Sequence, residues 1–168
     1  MVGGITSVNN AKIKNCYNAG TIQCENGNVG GIVGYAVAGT LEMSNCYNIA
    51  TIGTGSYSGG IIGDLDCNAV INNCYNRGNI TGTINKGGII GYIYNRSSNN
   101  ITLTNCSYLT GTASSGIGYT SDSTLTVNES STMPDVLSVI NGDNAFVVDT
   151  NNINRGYPIL AWQAQANK

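Results

Sequence analysis

Four stretches of the chain alternate apolar and polar residues: Ala11-Lys12-Ile13-Lys14, Leu41-Glu42-Met43-Ser44, Ala69-Val70-Ile71-Asn72 and Ile101-Thr102-Leu103-Thr104. A period of two belongs to a strand with one buried face. It predicts an inward set of Ala11, Ile13, Leu41, Met43, Ala69, Ile71, Ile101 and Leu103. The same word follows each stretch: Asn15-Cys16-Tyr17-Asn18, Asn45-Cys46-Tyr47-Asn48, Asn73-Cys74-Tyr75-Asn76 and, altered, Asn105-Cys106-Ser107-Tyr108, so that the cysteines step by 30, 28 and 32 residues. A second short strand comes next, as in Thr21-Ile22-Gln23 or Asn79-Ile80-Thr81. A glycine word closes the unit: Gly30-Gly31-Ile32-Val33-Gly34-Tyr35, Gly59-Gly60-Ile61-Ile62-Gly63-Asp64, Gly87-Gly88-Ile89-Ile90-Gly91-Tyr92 and Ser115-Gly116-Ile117-Gly118-Tyr119.

A motif that returns at a fixed interval is architecture before it is a site. Three short strands and three corners in about 28–30 residues make one circuit whose strands pair with the next circuit. The fold expected is all-β, a right-handed parallel β-helix over residues 1–120. Equivalent residues then stack about 4.8 Å apart. Asn and Gly serve the corners, because both tolerate positive φ. Gly3-Gly4-Ile5 belongs to the glycine series, so the chain is expected to open inside a repeat of a longer array. Ile5, Ile32, Ile61, Ile89 and Ile117 are identical in every copy and form the expected core column. The next column, Val33, Ile62 and Ile90, is Thr6 in the first copy and is expected to face outward as a semi-apolar strip.

Residues 121–168 read differently, as a C-terminal cap with one short helix. Ser131-Thr132-Met133-Pro134-Asp135 offers an N-cap, a first-turn proline and an acid near the helix N-terminus. Met133, Val136, Leu137 and Ile140 form the face expected to seal the open end of the last circuit, with Gly142 as the stop. Phe146-Val147-Val148 and Tyr157 to Trp162 read as strands.

Composition narrows the function. Only 10% of residues are charged and the net charge is -2 with no block of Lys or Arg, so the footprint of a nucleic-acid or acidic-membrane partner is missing. No run reaches the roughly 18 apolar residues of a membrane span, and none of the features of a signal peptide stands at the N-terminus.

The repeated words resemble the GLUG-motif repeats of bacterial surface and secreted proteins, whose core is matched by Val29 to Tyr35 with its associated Asn-Cys-Tyr-Asn; the repeats cover roughly residues 2 to 120, and Ile153 to Gln163 resembles the close of such arrays. The resemblance implies an extracellular, adhesin-like module, or an accessory region beside immunoglobulin-attacking metalloproteases. The sequence has no histidine, so it lacks the two-histidine zinc helix of those proteases.

Cys16, Cys46, Cys74 and Cys106 share one column, which favours a ladder of small apolar fillers over disulfides or a metal; parallel side chains point alike rather than toward each other. Cys24 and Cys67 fall outside it, and no CxxC spacing supports zinc. The close acid pair in the repeats is Asp64 with Asp66, where a polysaccharide-cleaving site or calcium would have to sit; both readings need more convergent groups than two carboxylates. The glycine words lack the following helix and Lys-Ser/Thr of a phosphate loop. No catalytic residue, metal or cofactor is assigned. With the cysteines inward, Tyr17, Tyr47 and Tyr75 turn outward. They form either a structural ladder or a flat recognition face for a glycan or a host or neighbour-cell protein. The expected function is a non-catalytic extracellular stalk or adhesive surface; the alternatives are a polysaccharide-active enzyme and a unit that self-associates through an open coil end.

Overall fold

The computed structural model describes residues 2–5, 8–94 and 99–166. Strands of successive repeats pair in parallel and stack into an all-β solenoid of about four turns. In the broad sheet, Ala11, Leu41, Ala69 and Ile101 share one column and Ile13, Met43, Ile71 and Leu103 another. Leu41, Met43, Ala69 and Ile71 are fully buried, and Ile13 nearly so. Alternation alone located this face.

The corner after that sheet is made by asparagine. Asn15, Asn45, Asn73 and Asn105 hold φ between 52 and 56°, a region that asparagine tolerates better than other non-glycine residues. Their amides bond along the axis: Asn105 donates to Asn73 at 3.0 Å, Asn73 to Asn45 at 3.2 Å and Asn45 to Asn15 at 3.1 Å. The asparagine three positions later makes a second ladder of opposite sense, in which Asn18 donates to Asn48 and Asn48 to Asn76, each at 2.8 Å. Asn48 and Asn76 are fully buried, and each also donates to a carbonyl two residues on, Ala50 and Gly78. A buried amide needs such partners, since an unmet one costs about 1–3 kcal/mol.

At the glycine word the alternation breaks. The N–H groups of Ile32 and Val33 both donate to the Ile61 carbonyl, those of Ile61 and Ile62 both to the Ile89 carbonyl, and those of Ile89 and Ile90 both to the Gly116 carbonyl. Two consecutive residues facing one partner is the mark of a bulge. It lets neighbours in sequence face the same side, and Val33, Ile62 and Ile90 are fully buried beside Ile32, Ile61 and Ile89. The outward strip expected of Val33, Ile62 and Ile90 is therefore a second core column. Ile117 is partly buried in the last circuit. Glycine is needed here for approach. A Cβ on Gly60 would lie 2.1 Å from the Gly88 carbonyl oxygen and 2.4 Å from the Asn76 side chain.

Parallel pairing continues past residue 120, through Asn128–Ser130 against Ser107–Leu109. Helix α1, Met133–Ile140, then starts on Thr132, whose hydroxyl accepts from the Asp135 N–H while the Asp135 carboxylate accepts from the Thr132 N–H. This is the reciprocal capping expected where a Ser or Thr is followed three residues later by an acid or amide. The chain after α1 does not simply close the end of the coil. It runs back along the flank through an antiparallel pair, Phe146–Val147 with Ile159–Leu160, into a second helix α2, Ala161–Ala166. Trp162 thus lies in a helix rather than a strand, and among the described residues the cap holds two helices where one was expected. Thr6 and the side chains of Ile5 and Met133 lie outside the described residues.

Candidate functional site

The Asn-Cys-Tyr-Asn word positions its side chains by alternation, with cysteine inward and tyrosine outward. Cys46 and Cys74 are fully buried, Cys106 nearly so and Cys16 partly. Each thiol donates to the carbonyl two residues before it: Cys16 to Lys14 at 3.2 Å, Cys46 to Ser44 at 3.3 Å, Cys74 to Asn72 at 3.2 Å and Cys106 to Thr104 at 3.5 Å. All six cysteines are free thiols. Burial pushes the Cys74 thiol well above its usual pKa, so its inert neutral form fills the core.

Tyr17, Tyr47 and Tyr75 stack one per circuit, with centroids 5.2 and 5.0 Å apart and planes within 13° and 4°. They point outward from the coil, yet Tyr47 and Tyr75 are only 1% and 0% exposed. The C-terminal segment covers them. Phe146 meets both rings edge-on at 6.1 and 5.7 Å, a favoured geometry for aromatic pairs. Val136, Ile140 and Leu160 complete the cluster, with Leu137 partly buried against it. The Tyr47 hydroxyl donates to Gln163 Oε1 at 2.8 Å. Tyr75 donates to the Pro158 carbonyl and accepts from Asn154 Nδ2, while Arg77 Nε donates to Asn154 Oδ1 at 2.7 Å. Asn154 is held in turn by Asp149, whose carboxylate accepts from the N–H groups of Ile153, Asn154 and Gly156. Burial pushes the Tyr47 hydroxyl up to about 12 and that of Tyr75 well above its usual value. The expected recognition face is thus a buried structural ladder over two of its three rings, because the cap's apolar face has docked on it. Tyr17 alone remains 43% exposed, with Trp162 tilted beside it at 6.2 Å.

A second tyrosine ladder stands at the surface. It grows from the last position of the glycine word, where register aligns Tyr35, Asp64, Tyr92 and Tyr119. Tyr92 stacks on Tyr119 at 5.0 Å and 9°. On the other side it stacks on Tyr57 at 4.4 Å and 14°. Tyr57 comes from the same circuit as Asp64 and supplies the ring that the aspartate does not. Tyr94 lies tilted at 6.3 Å from Tyr92. Tyr94 and Tyr119 are 50% and 48% exposed, and a depression of about 200 Å³ lies among Tyr92, Tyr94, Tyr119 and Ser121. Partial desolvation first, then the Tyr57 and Tyr119 rings, raise the Tyr92 hydroxyl pKa. The signal for this ladder was in the sequence: the tyrosine that ends three of the glycine words. Tyr57 carried none, since its ring joins a column to which its position does not belong.

The acid pair interrupts that column. Asp64 and Asp66 are 8% and 7% exposed, and Asn28 Nδ2 donates to Asp64 Oδ2 at 2.8 Å. Burial, then the Asp66 charge, push the Asp64 carboxyl up to about 6. A carboxyl so placed could hold a proton near neutrality. Among the described residues, no three His, Cys, Asp or Glu groups converge to hold a metal.

No family model matches the chain, and no curated protein matches it. Among solved structures it is similar to the 1.30 Å crystal structure of a "putative immunoglobulin A1 protease" from Bacteroides ovatus, with a TM-score of 0.58 and 22% sequence identity. The match covers 90% of this chain and 57% of that one, so this chain spans little more than half the length of its neighbour. Identity at that level speaks for a shared fold.

Proposed function

We propose that this chain is a non-catalytic β-solenoid module of a bacterial extracellular protein, and that it attaches to a protein partner through the open tyrosine strip. One observation carries the reading: of two tyrosine ladders with the same spacing, one is sealed by the molecule's own C-terminal segment and the other is left at the surface. Stacked rings turn their edges and hydroxyls outward, not their faces. Such an edge suits a protein surface, where rigid amphipathic tyrosine contributes contact area with little entropy to lose. The GLUG-like words, Val29 to Tyr35 above all, support the extracellular setting.

The fold likeness to a protein described as an immunoglobulin A1 protease supports a second reading, in which the solenoid is an accessory region that presents a target to a protease. The test is binding of the folded protein to immobilised immunoglobulin A and to a panel of extracellular matrix proteins. Tyr92→Ser with Tyr119→Ser should weaken capture at least about tenfold, with Tyr17→Ser as the control that leaves it unchanged. Capture of none of these proteins, or capture indifferent to Tyr92 and Tyr119, would reduce the module to a spacer. Cleavage of the immunoglobulin by this chain would overturn the non-catalytic assignment.

A further inference from the structure

The outer face of the broad sheet carries a trough whose lining includes no tyrosine. Register sets Lys14, Ser44, Asn72 and Thr104 in one outward row, one residue per circuit. Beside that row stands the turn after α1, where Asp143 Oδ2 accepts from Asn45 Nδ2 at 2.9 Å and so fixes Gly142 and Asp143 as a wall. The space between is about 450 Å³, with Ser44, Asn72, Thr104, Asn105 and Asp143 among its lining. A second depression of about 330 Å³ shares Lys14, Ser44 and Asn72 and extends over Glu42 and Val70. The larger depression crosses successive circuits parallel to the solenoid axis, along Lys14, Ser44, Asn72 and Thr104, and the second adjoins it at Lys14, Ser44 and Asn72 and follows the strand direction instead.

Along the row the chemistry is that of the Ser44 and Thr104 hydroxyls and the Asn72 amide with charges offset, while Met43 and Val70 give the second depression an apolar floor. Lys12 pairs with Glu42 at 3.0 Å, and Lys14 faces a lining that also contains Asp143. A polyanion would find no net positive field, and electrostatic complementarity therefore favours an uncharged ligand. A protein partner would want a buried aromatic or aliphatic anchor, and Val70, 41% exposed, is the apolar residue this surface leaves open to solvent. What the row does offer is a hydrogen-bonding group at every circuit, about 4.8 Å apart, comparable with the length of one sugar ring in an extended chain.

We propose that this trough binds an uncharged, extended oligosaccharide lying along the solenoid axis, with about one sugar per circuit. It is a site separate from the tyrosine strip and stands or falls without it. The test is isothermal titration of the folded protein with neutral linear glucans and mannans of two to six sugars, with polygalacturonate and heparin as charged comparators. Affinity for a neutral chain should rise up to about four sugars, and Ser44→Trp with Asn72→Trp should lower it at least about tenfold by filling the channel. Both positions face outward, so circular dichroism and melting temperature should match the parent; should that pair misfold, Thr104→Trp alone provides the same blockade from the next circuit. The proposal fails if no neutral chain binds, if only the polyanions bind, if two sugars bind as well as four, or if the blocked trough binds as well as the open one.

Discussion

The two tyrosine ladders share a residue type, a one-per-circuit period and a stacking distance near 5 Å, and differ in what lies over them. Tyr47 and Tyr75 have Phe146, Leu160 and helix α1 against their rings and a partner for each hydroxyl. Among the described residues, Tyr92 has Tyr57, Tyr94 and Tyr119 beside it, and Tyr94 and Tyr119 are about half exposed. The lesson is that a ladder is fixed by local repetition, whereas its role is fixed by distant chain. A phenol column becomes core where roughly thirty residues from the C-terminus bring apolar side chains and carbonyls to it. It stays surface where none arrive.

Substitution should separate the ladders by energy. Tyr75→Ala removes a fully buried ring and one of the partners of Asn154, so it should cost about 3–5 kcal/mol in urea unfolding, the range of large aromatic truncations. Tyr92→Ala should cost far less, about 1 kcal/mol or below, since it removes only a partly exposed stack. Equal losses at the two sites would erase the distinction.

The aspartate in the open column gives the next largest effect. Its folded pKa of about 6 lies above the usual value of 3.8, so between those values the folded protein holds a proton that the unfolded chain has released. Stability from this group is therefore greatest below about pH 4, declines as pH rises to about 6 and is level beyond, a total on the order of 2–3 kcal/mol. Melting curves across that interval should show the decline in the parent, and Asp64→Asn should flatten it. A parent curve that rises through pH 4–6 would mean that Asp64 is ionised and well solvated.

A smaller effect falls at the root of the covering segment. Thr132→Ala deletes the hydroxyl that caps α1 and should cost about 1 kcal/mol. If the covering segment unfolds as a unit before the coil, hydrogen exchange should quicken in 133–166 while the strands around Ile61 and Cys74 remain protected. Uniform quickening would show instead that coil and cover open together.

What the sequence disclosed was whatever depends on neighbours in the chain or on the repeat. Alternation found Leu41, Met43 and Ile71; the Asn-Cys-Tyr-Asn word found the left-handed corners at Asn15, Asn45, Asn73 and Asn105; capping residues found α1. It misled where a local rule met non-local geometry. Alternation assumes an unbroken strand, and the shared acceptor at Ile61, Ile89 and Gly116 turned Val33, Ile62 and Ile90 inward. An amphipathic helix after an open coil suggests an end seal, but nothing in Val136 or Ile140 says which apolar surface they will meet, and they met the side of the tyrosine stack. The apolar run at Ile159 and Leu160 continued into a helix because Ala161, Gln163 and Ala164 are good helix formers. Of the candidate sites, the open ladder was half visible, in the closing tyrosines of the glycine words, and the polar trough was not, since its wall comes from the turn after α1.

Tyrosine footprinting of the folded protein compares the two ladders in a single experiment. Brief nitration or iodination, read residue by residue by mass spectrometry, should label Tyr94 and Tyr119 rapidly and Tyr17 appreciably, in line with their exposures of 50%, 48% and 43%. Tyr47 and Tyr75 should stay unlabelled until the protein unfolds, their rings buried and their hydroxyls held in the neutral form. Labelling of Tyr47 and Tyr75 in the native protein at the rate of Tyr119 would contradict the covered ladder, and with it the claim that the C-terminal segment decides which tyrosines are core and which are surface.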